Sequence, residues 1–368
     1  MRTVRRLFYV DIVSAVVFVA IAFLALFFFI DFVDELRDVG TRGYSVGHAA
    51  IYSLLLAPGH LYELMPIAVL IGTIYALARL AQSSQYTILR TSGLAPGRAL
   101  WILASLALAF GAFTFVVGDY LAPISARVGS QLRAAFSGSL KLGRSGAWIK
   151  EHSSGADGER SYSINVGSAE RGTKLRDVRI FEFDADGRLL SRTAAAQAAV
   201  GRDGTWSLSD VTVTRWVESG AVATAREERL AASRWRSSLS PDVVAAAVLP
   251  VTTMSTIELW RYIGHLADNE QAAQTQQIQF WSRALYPFVC LVMVGLALPF
   301  AYLHARAGSV SFKVFGGIML GISFVLLNNV AGHIGVLNAW TPWLAASTPS
   351  LLYLLLSLAA FTWLVRYR

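Results

Sequence analysis

The sequence has 368 residues, of which 55% are hydrophobic and only 15% are charged. Because an ordinary soluble domain carries about 25% charged residues, this composition excludes a typical soluble protein and favours one that crosses a membrane. The net charge of +8 is then explained by Arg and Lys on the cytoplasmic side of the membrane, and no nucleic acid partner is expected.

Six apolar runs along the chain are long enough to cross a bilayer core of about 30 Å. The first run leads into an acidic segment without a small-residue cleavage site, so we interpret it as a membrane span and not as a signal peptide. The second run contains Pro58 and Gly59, where we expect a break between an interfacial helix and a span that starts near Glu63. The predicted spans are residues 12–30, about 63–78, 99–118, 284–302, 314–332 and part of 340–365.

A long polar segment separates the third predicted span from the fourth, and its centre predicts β-structure. Residues 178–183 alternate between apolar and polar side chains, and turn signals such as those at 184–187 and 201–204 recur along the segment. We therefore predict an α-helical polytopic membrane protein with six transmembrane helices and an inserted all-β domain, either a sandwich or a jelly roll. The predicted domains are residues 1–126 with spans one to three, residues 127–276 as the β-domain and residues 277–368 with spans four to six.

The distribution of basic residues predicts the orientation of the spans. Arginines dominate the N-terminal segment, the loop between spans two and three, and the C-terminus, whereas several acidic residues follow span one. Since Arg and Lys are enriched in short cytoplasmic loops, we expect both termini in the cytoplasm and the β-domain on the opposite side of the membrane.

Sequence motifs for catalysis and for metal binding are absent. The chain has no G-x-x-x-x-G-K-[ST] loop, H-E-x-x-H motif, C-x-x-C pair or G-x-S-x-G elbow. We therefore predict no catalytic residue, no metal site and no cofactor bound by this chain, and no enzymatic activity of its own. Two alternatives from other classes are a lipid-modifying enzyme with the β-domain as its catalytic unit, and a non-transport scaffold that displays this domain. The missing nucleophile and metal constellations argue against the enzyme.

The loop at about residues 82–93 carries the pattern of a short amphipathic helix. Ser84 can cap such a helix, and Tyr86, Leu89 and Arg90 follow at the i, i+3, i+4 spacing that places them on one face. A short helix of this kind can lie at the membrane surface or dock into the groove of a partner protein. The composition of the loop leaves both interpretations open.

Charged residues also cluster where spans one and three end. Asp34 and Arg37 follow the first span, and Arg127 and Arg133 follow the third. Charges near the end of a span commonly do no more than mark the membrane interface. Cations at this position can also meet the anionic head group of a lipid.

Several further segments form a recognisable set in chain order. They are residues 31–36 (DFVDEL), 62–72 (YELMPIAVLIG), 80–84 (LAQSS), 91–94 (TSGL), 122–123 (AP), 146–150 (GAWIK), 280–283 (FWSR), Pro287 and residues 316–323 (GGIMLGIS). This set resembles the permeases of the lipopolysaccharide export transporter, specifically the LptG type, over essentially the whole chain. The paralogous LptF-type permease shares the topology and remains the main alternative within the family.

The resemblance implies a function and a set of partners. Members of the family form a heterodimer of an LptG-type and an LptF-type permease with an LptB-type ATPase dimer, and an LptC-type bridge protein packs against span one. The expected function is ATP-driven extraction of lipopolysaccharide from the inner membrane and its transfer to a periplasmic bridge toward the outer membrane. This chain would be a multi-pass protein of a Gram-negative inner membrane with a periplasmic β-jelly-roll domain at residues 127–276, and its partner ATPase would use the ATP.

The resemblance also implies roles for individual residues. Lipopolysaccharide is expected to be bound at the mouth of a cavity by the set Asp34, Arg37, Arg127 and Arg133. The loop at about 82–93 is expected to be the coupling helix that docks into the ATPase, through the set Ser84, Gln85, Tyr86, Leu89 and Arg90.

The chain departs from the family pattern at three of its positions. Gln85 stands where the family commonly has a glutamate, and Asp31 and Gly59 stand where well-studied members have basic residues. The set of cations available for lipid A phosphates is therefore thinner in this subunit. Either Arg37, Arg127 and Arg42 replace the missing cations, or the paralogous partner supplies more of the charge.

Overall fold

The computed structural model of the chain describes most of the sequence in segments separated by gaps. The described residues are 2–41, 43–83, 96–137, 140–141, 146–155, 158–169, 174–201, 203–219, 222–237, 239, 244, 254–269, 273–299 and 310–366. Their helices are α1 (Arg2–Glu35), α2 (Val46–Gln82), α3 (Pro96–Val116), α4 (Ala122–Ser137), α5 (Thr256–Asp268), α6 (Gln274–Ala297), α7 (Val310–Leu337) and α8 (Pro342–Arg366). Their strands are β1 (Leu140–Lys141), β2 (Ala147–Gly155), β3 (Gly158–Ala169), β4 (Lys174–Phe183), β5 (Leu189–Val200), β6 (Thr205–Ser219) and β7 (Val222–Arg236).

Six helical segments of the described chain are long and apolar enough to cross a membrane. They are Phe8–Asp38, Val46–Gln82, Leu100–Arg133, Gln274–Ala297, Val310–Leu337 and Pro342–Thr362. The third segment runs through α3, a π-helical turn at Val117–Leu121 and part of α4. The prediction of six membrane helices with a β-domain inserted between the third and the fourth is confirmed.

The predicted break in the second span is wrong, because α2 continues without interruption through Pro58 and Pro66. With 37 residues, α2 is roughly 55 Å long at 1.5 Å per residue, which exceeds the bilayer core of about 30 Å. The apolar run is therefore longer than a single span requires, and all of it belongs to one helix.

Side chains of neighbouring helices explain why the two prolines do not break α2. The Ser125 hydroxyl donates a hydrogen bond to the carbonyl three residues before Pro58. The Tyr286 hydroxyl donates a 2.8 Å bond to the carbonyl three residues before Pro66. A proline disrupts the hydrogen bonds of the preceding turn, and membrane helices tolerate it where neighbouring side chains satisfy the affected carbonyls.

The described chain divides into two compact units. The first comprises Met1–Asp38, Ala49–Ala126 and Gln274–Arg368, and the second comprises Val39–His48 and Arg127–Ala273. Within the first unit, α6 packs against α3 and α8, and α7 packs against α8. Buried side chains from all six spans form its apolar core, among them Phe8, Ile12, Leu70, Leu77, Leu103, Met293, Phe324 and Tyr353.

Glycines allow two of the spans to approach α2 closely. A Cβ atom at Gly72 would lie 2.7 Å from the backbone of Val16 in α1. A Cβ atom at Gly317 in α7 would lie 2.6 Å from the side chain of Ile74. Since apolar side chains gain nothing from the hydrophobic effect inside lipid, such close backbone packing is a main source of helix association in membranes.

The strands of the second unit pair in chain order as an antiparallel meander. The order is β1-β3-β4-β5-β6-β7, and β2 pairs with the same edge of β3 that β1 extends. Inward-facing side chains of these strands form one apolar core around Trp206, which is fully buried beside Trp235. The other large buried members are Ile149, Ile164, Val166, Val178, Ile180, Leu208 and Val211.

A continuous crease crosses five strands of this sheet. The register places Gly167, Asp177, Ala196, Asp210 and Ala231 opposite one another on one line across β3 to β7. In β4, β5 and β6, two residues instead of one lie between the buried positions on either side of this line. The alternation of buried and exposed side chains is therefore shifted by one residue across the line. The two aspartates on the line have positive φ angles of 53° and 52°. An irregularity repeated on adjacent strands bends a sheet along that line.

The crease leads to a prediction about stability. A residue without a left-handed preference is strained at φ near +52°, and the strain amounts to about 1–2 kcal/mol. We expect Asp210→Val to lower the thermal unfolding midpoint of the β-domain, whereas Asp210→Gly should leave it unchanged or raise it. Protease protection of the purified chain on heating measures both. Equal midpoints for the two variants would contradict this explanation of the crease.

Candidate substrate-binding site

Asp34 and Arg37 form a local ion pair where α1 ends. The Arg37 guanidinium lies 3.5 Å from the Asp34 carboxylate three residues earlier. The two side chains are 81% and 62% exposed, so water competes strongly with their attraction. An exposed pair of this kind contributes only about 0–1 kcal/mol. Arg37 can therefore exchange this carboxylate for another anion at little free-energy cost.

Arg127 is held in a more structural contact within the second unit. Its guanidinium donates to the carboxylate of Glu258 in the first turn of α5. Glu258 also accepts a 2.8 Å bond from the backbone N–H of Ser255, whose hydroxyl caps the same helix in return. Burial opposes the ionisation of Glu258, but these bonds and the Arg127 charge outweigh it and lower the pKa of the carboxyl. Arg127 thus anchors the start of α5.

Arg133 points to a different side of α4. It follows Arg127 by six residues, which separates the two side chains by about 120° around the helix. Arg133 is exposed, whereas Arg127 is only partly so. The hydroxyl of Ser130 donates to the Arg127 carbonyl at 2.8 Å, so it is engaged within the helix itself. Of the two arginines on α4, Arg133 is the more accessible to a ligand.

The structure joins Asp31 to His60, a residue that the sequence analysis did not assign to the site. The His60 Nε2 atom lies 2.8 Å from the Asp31 Oδ2 atom, which links α1 to α2. The imidazole also packs against Phe27 with ring centroids 4.8 Å apart. The two polar side chains are only 23% and 19% exposed. His60 follows Gly59, so a histidine stands one residue beyond a position where well-studied members of the family carry a basic residue.

One signal in the sequence could have identified His60. His60 and Glu63 are the only Asp, Glu, Lys, Arg or His side chains in the apolar stretch 49–78, and charged or titratable residues inside a membrane segment are functional candidates by default. Its partner Asp31 could not be identified from the sequence, because it is one of four acidic residues close together at the end of span one.

A second polar cluster surrounds the π-helical turn between α3 and α4. Asp119 lies in this turn and is only 7% exposed. The rings of Tyr62 and Tyr286 pack against each other nearby in the same unit, tilted by 33° with centroids 4.4 Å apart, and a Cβ atom at Gly118 would overlap the Tyr62 ring. Single π-helical turns inside membrane helices occur frequently at functional sites. This cluster joins spans two, three and four.

The remaining predicted site lies outside the described residues. The coupling helix at about 82–93 is described only as far as Ser83, so the predicted roles of Ser84, Gln85, Tyr86, Leu89 and Arg90 stay predictions. In the part of the chain that is described, no three His, Cys, Asp or Glu side chains come together in a group that could hold a metal ion.

Comparison with known proteins assigns the chain to a family. The model of the family described as lipopolysaccharide export system permease LptF/LptG matches residues 6–364. The chain is 28% identical over 330 residues to the lipopolysaccharide export system permease protein LptG of Haemophilus influenzae, covering 89% of each chain. It is 26% identical over 332 residues to the LptG protein of Escherichia coli K12, again covering 89% of each chain. The chain belongs to the LptF/LptG family of lipopolysaccharide export permeases.

Proposed function

We propose that this chain is the LptG-type permease subunit of an ATP-driven transporter that extracts lipopolysaccharide from the inner membrane and passes it to a periplasmic bridge. The observation that carries the proposal is the match of the family model to residues 6–364, which covers the six spans and the β-domain together. Because that model includes both paralogues, the choice of the LptG type rests on the LptG relatives in two species.

The proposal includes partners that supply what this chain lacks. An LptB-type ATPase dimer on the cytoplasmic side would bind and hydrolyse ATP, and an LptF-type permease would complete the cavity. An LptC-type protein would receive the lipopolysaccharide at the periplasmic β-domain. The arginines of the N-terminal segment and of the loop between spans two and three support this orientation, since basic residues favour the cytoplasmic side.

Within this proposal, Arg37 and Arg133 are the residues that meet the phosphates of lipid A. Arg37 has only the weak exposed contact with Asp34, and Arg133 is exposed on α4. A charge-assisted hydrogen bond to a phosphate contributes about 1.5–3 kcal/mol, which exceeds the contribution of the exposed Arg37–Asp34 pair. Arg127 would act indirectly, because contact with a phosphate would compete with its bond to Glu258.

Photo-crosslinking combined with charge reversal tests this assignment. A photo-reactive amino acid at Arg37 or Arg133 should capture lipopolysaccharide in the assembled transporter, whereas one at Asp186, in the exposed turn after β4, should not. We expect Arg133→Glu to reduce lipopolysaccharide release about tenfold or more, since the lost contact exceeds 1.4 kcal/mol. Release is measured in proteoliposomes that contain the complete complex and ATP.

Arg226→Glu is the matched control for the charge reversal. Arg226 is an exposed arginine on β7, so the same change in charge there should leave release near the wild-type rate. Equal losses from the two reversals would show a general effect of net charge. Capture at Asp186 but not at Arg37 or Arg133 would contradict a phosphate site at the ends of spans one and three.

A further inference from the structure

Helix α5 has one buried apolar face. Leu259, Ile263 and Leu266 are buried and follow the spacing of a single helical stripe. The start of the helix is fixed by the reciprocal capping of Ser255 and Glu258. These contacts leave a neighbouring stripe of the helix surface exposed.

A second stripe of α5, next to the buried one, is also apolar. Ile257 and Trp260 are 56% and 61% exposed, and Gly264 and Ala267 continue the same stripe toward the end of the helix. The spacing i, i+3, i+7, i+10 places these four residues within about 80° around the helix. The side opposite the buried stripe carries Arg261, His265 and Asp268, as expected of a helix that borders water. The apolar stripe between these two sides therefore indicates contact with something less polar than water.

The chain that follows α5 shows what can reach this face. Only residues 269–273 separate α5 from α6, a candidate membrane span, and a linker of this length reaches at most about 20 Å. The end of α5 is therefore tethered within about 20 Å of the start of α6. Arg261 flanks the apolar stripe and is exposed, which suits the phosphate layer of a bilayer.

We propose that the face formed by Ile257, Trp260, Gly264 and Ala267 lies in the head-group region of the bilayer, on the side that carries the β-domain. Trp is enriched at this depth because its ring is apolar and its N–H is polar. Surface helices bury their apolar face about 5–10 Å into the boundary between head groups and acyl chains. The occupant is lipid, and α5 is the element that fixes the second unit to the membrane surface. This inference does not depend on the proposed transport function.

Environment-sensitive labels on the full chain test the proposal. Gly264→Cys and Ala267→Cys, each combined with Cys290→Ala, place a fluorescent label on the face while Trp260 stays intact. Gly264 suits this purpose because a Cβ atom there meets nothing within 4 Å. In nanodiscs, both labels should show blue-shifted emission and be quenched by lipids that carry a nitroxide near the head group. A label at Asp186→Cys, in the exposed turn, should show neither effect.

A second variant separates binding by this face from the effect of the short linker. Trp260→Asp removes the largest apolar group of the stripe from an exposed position, and it should weaken the lipid quenching of the Gly264→Cys label. Quenching that is unchanged by Trp260→Asp would overturn the proposal, since the linker alone would then explain it. Labels that are exposed to water in nanodiscs would overturn the proposal, since the face would then be bare. Labels that become shielded only after a partner protein is added would also overturn it, since the face would then be covered by protein.

Discussion

Replacing Leu89 with Asp is expected to release the partner ATPase from the purified complex, or to abolish its stimulated turnover. The proposed function requires a cytoplasmic contact that transmits ATP hydrolysis to the spans, and the loop at about 82–93 presents Tyr86 and Leu89 together at helical spacing. Burial of one such side chain contributes about 1.5–3 kcal/mol, and a carboxylate in its place would have to be desolvated. Co-purification and ATP turnover of the detergent-solubilised complex measure the effect.

Gln85→Ala is the control for this experiment. Gln85 replaces the glutamate that the family commonly has in the coupling helix, so its amide lacks the charge-assisted part of a hydrogen bond. Because charge assistance roughly doubles the strength of such a bond, the apolar contacts of Leu89 should contribute more here, and Gln85→Ala should have a mild effect. If Leu89→Asp left both assembly and ATP turnover at wild-type levels, the loop would be an interfacial helix and not the coupling element.

The membrane helices were predictable because span length and apolarity are properties of a continuous stretch of sequence. The continuity of α2 through Pro58 was not predictable in this way. It involves Ser125, which lies far away in the chain and donates to a carbonyl of the turn before Pro58. Sequence rules treat a proline as an isolated break. In the folded bundle the broken bond is compensated by a neighbour that only the tertiary structure brings near.

The β-domain shows the same distinction between local and non-local information. The alternation around Val178 and Ile180 predicts a strand correctly, but Leu175 falls out of phase with it although it is buried in the same core. The reason is Asp177, whose positive φ shifts the buried face, and a single sequence does not show that Asp210 does the same on another strand. The crease becomes visible only once the register aligns these residues.

The candidate site shows the same distinction between local and non-local information. Charged residues at span ends could be selected from their position, but their pairing could not be predicted. Arg127 and Glu258 are 131 residues apart, so their ion pair has no sequence signature, and it separates an anchoring arginine from the exposed Arg133. Likewise, nothing in the acidic segment after span one distinguishes Asp31 as the partner of His60.

Replacing His60 with Phe is expected to lower the free energy of unfolding by about 1–3 kcal/mol, because Asp31 would keep a largely buried carboxylate without its donor. Phenylalanine retains a ring against Phe27, so the change isolates the loss of the hydrogen bond. Arg37→Ala removes one partner of the exposed pair with Asp34 and serves as the matched control. Its expected effect is about 0–1 kcal/mol. Thermal unfolding of the purified chain in detergent measures both.

The double variant Asp31→Leu/His60→Phe decides whether the two residues act as a pair. Replacing both partners of a buried hydrogen bond by apolar groups of similar size can be nearly neutral, whereas removing one leaves an unsatisfied polar group. We therefore expect the double variant to unfold at a higher temperature than His60→Phe alone. Additive losses would show that the 2.8 Å contact has no energetic coupling. In that case the two side chains would stabilise α1 and α2 independently.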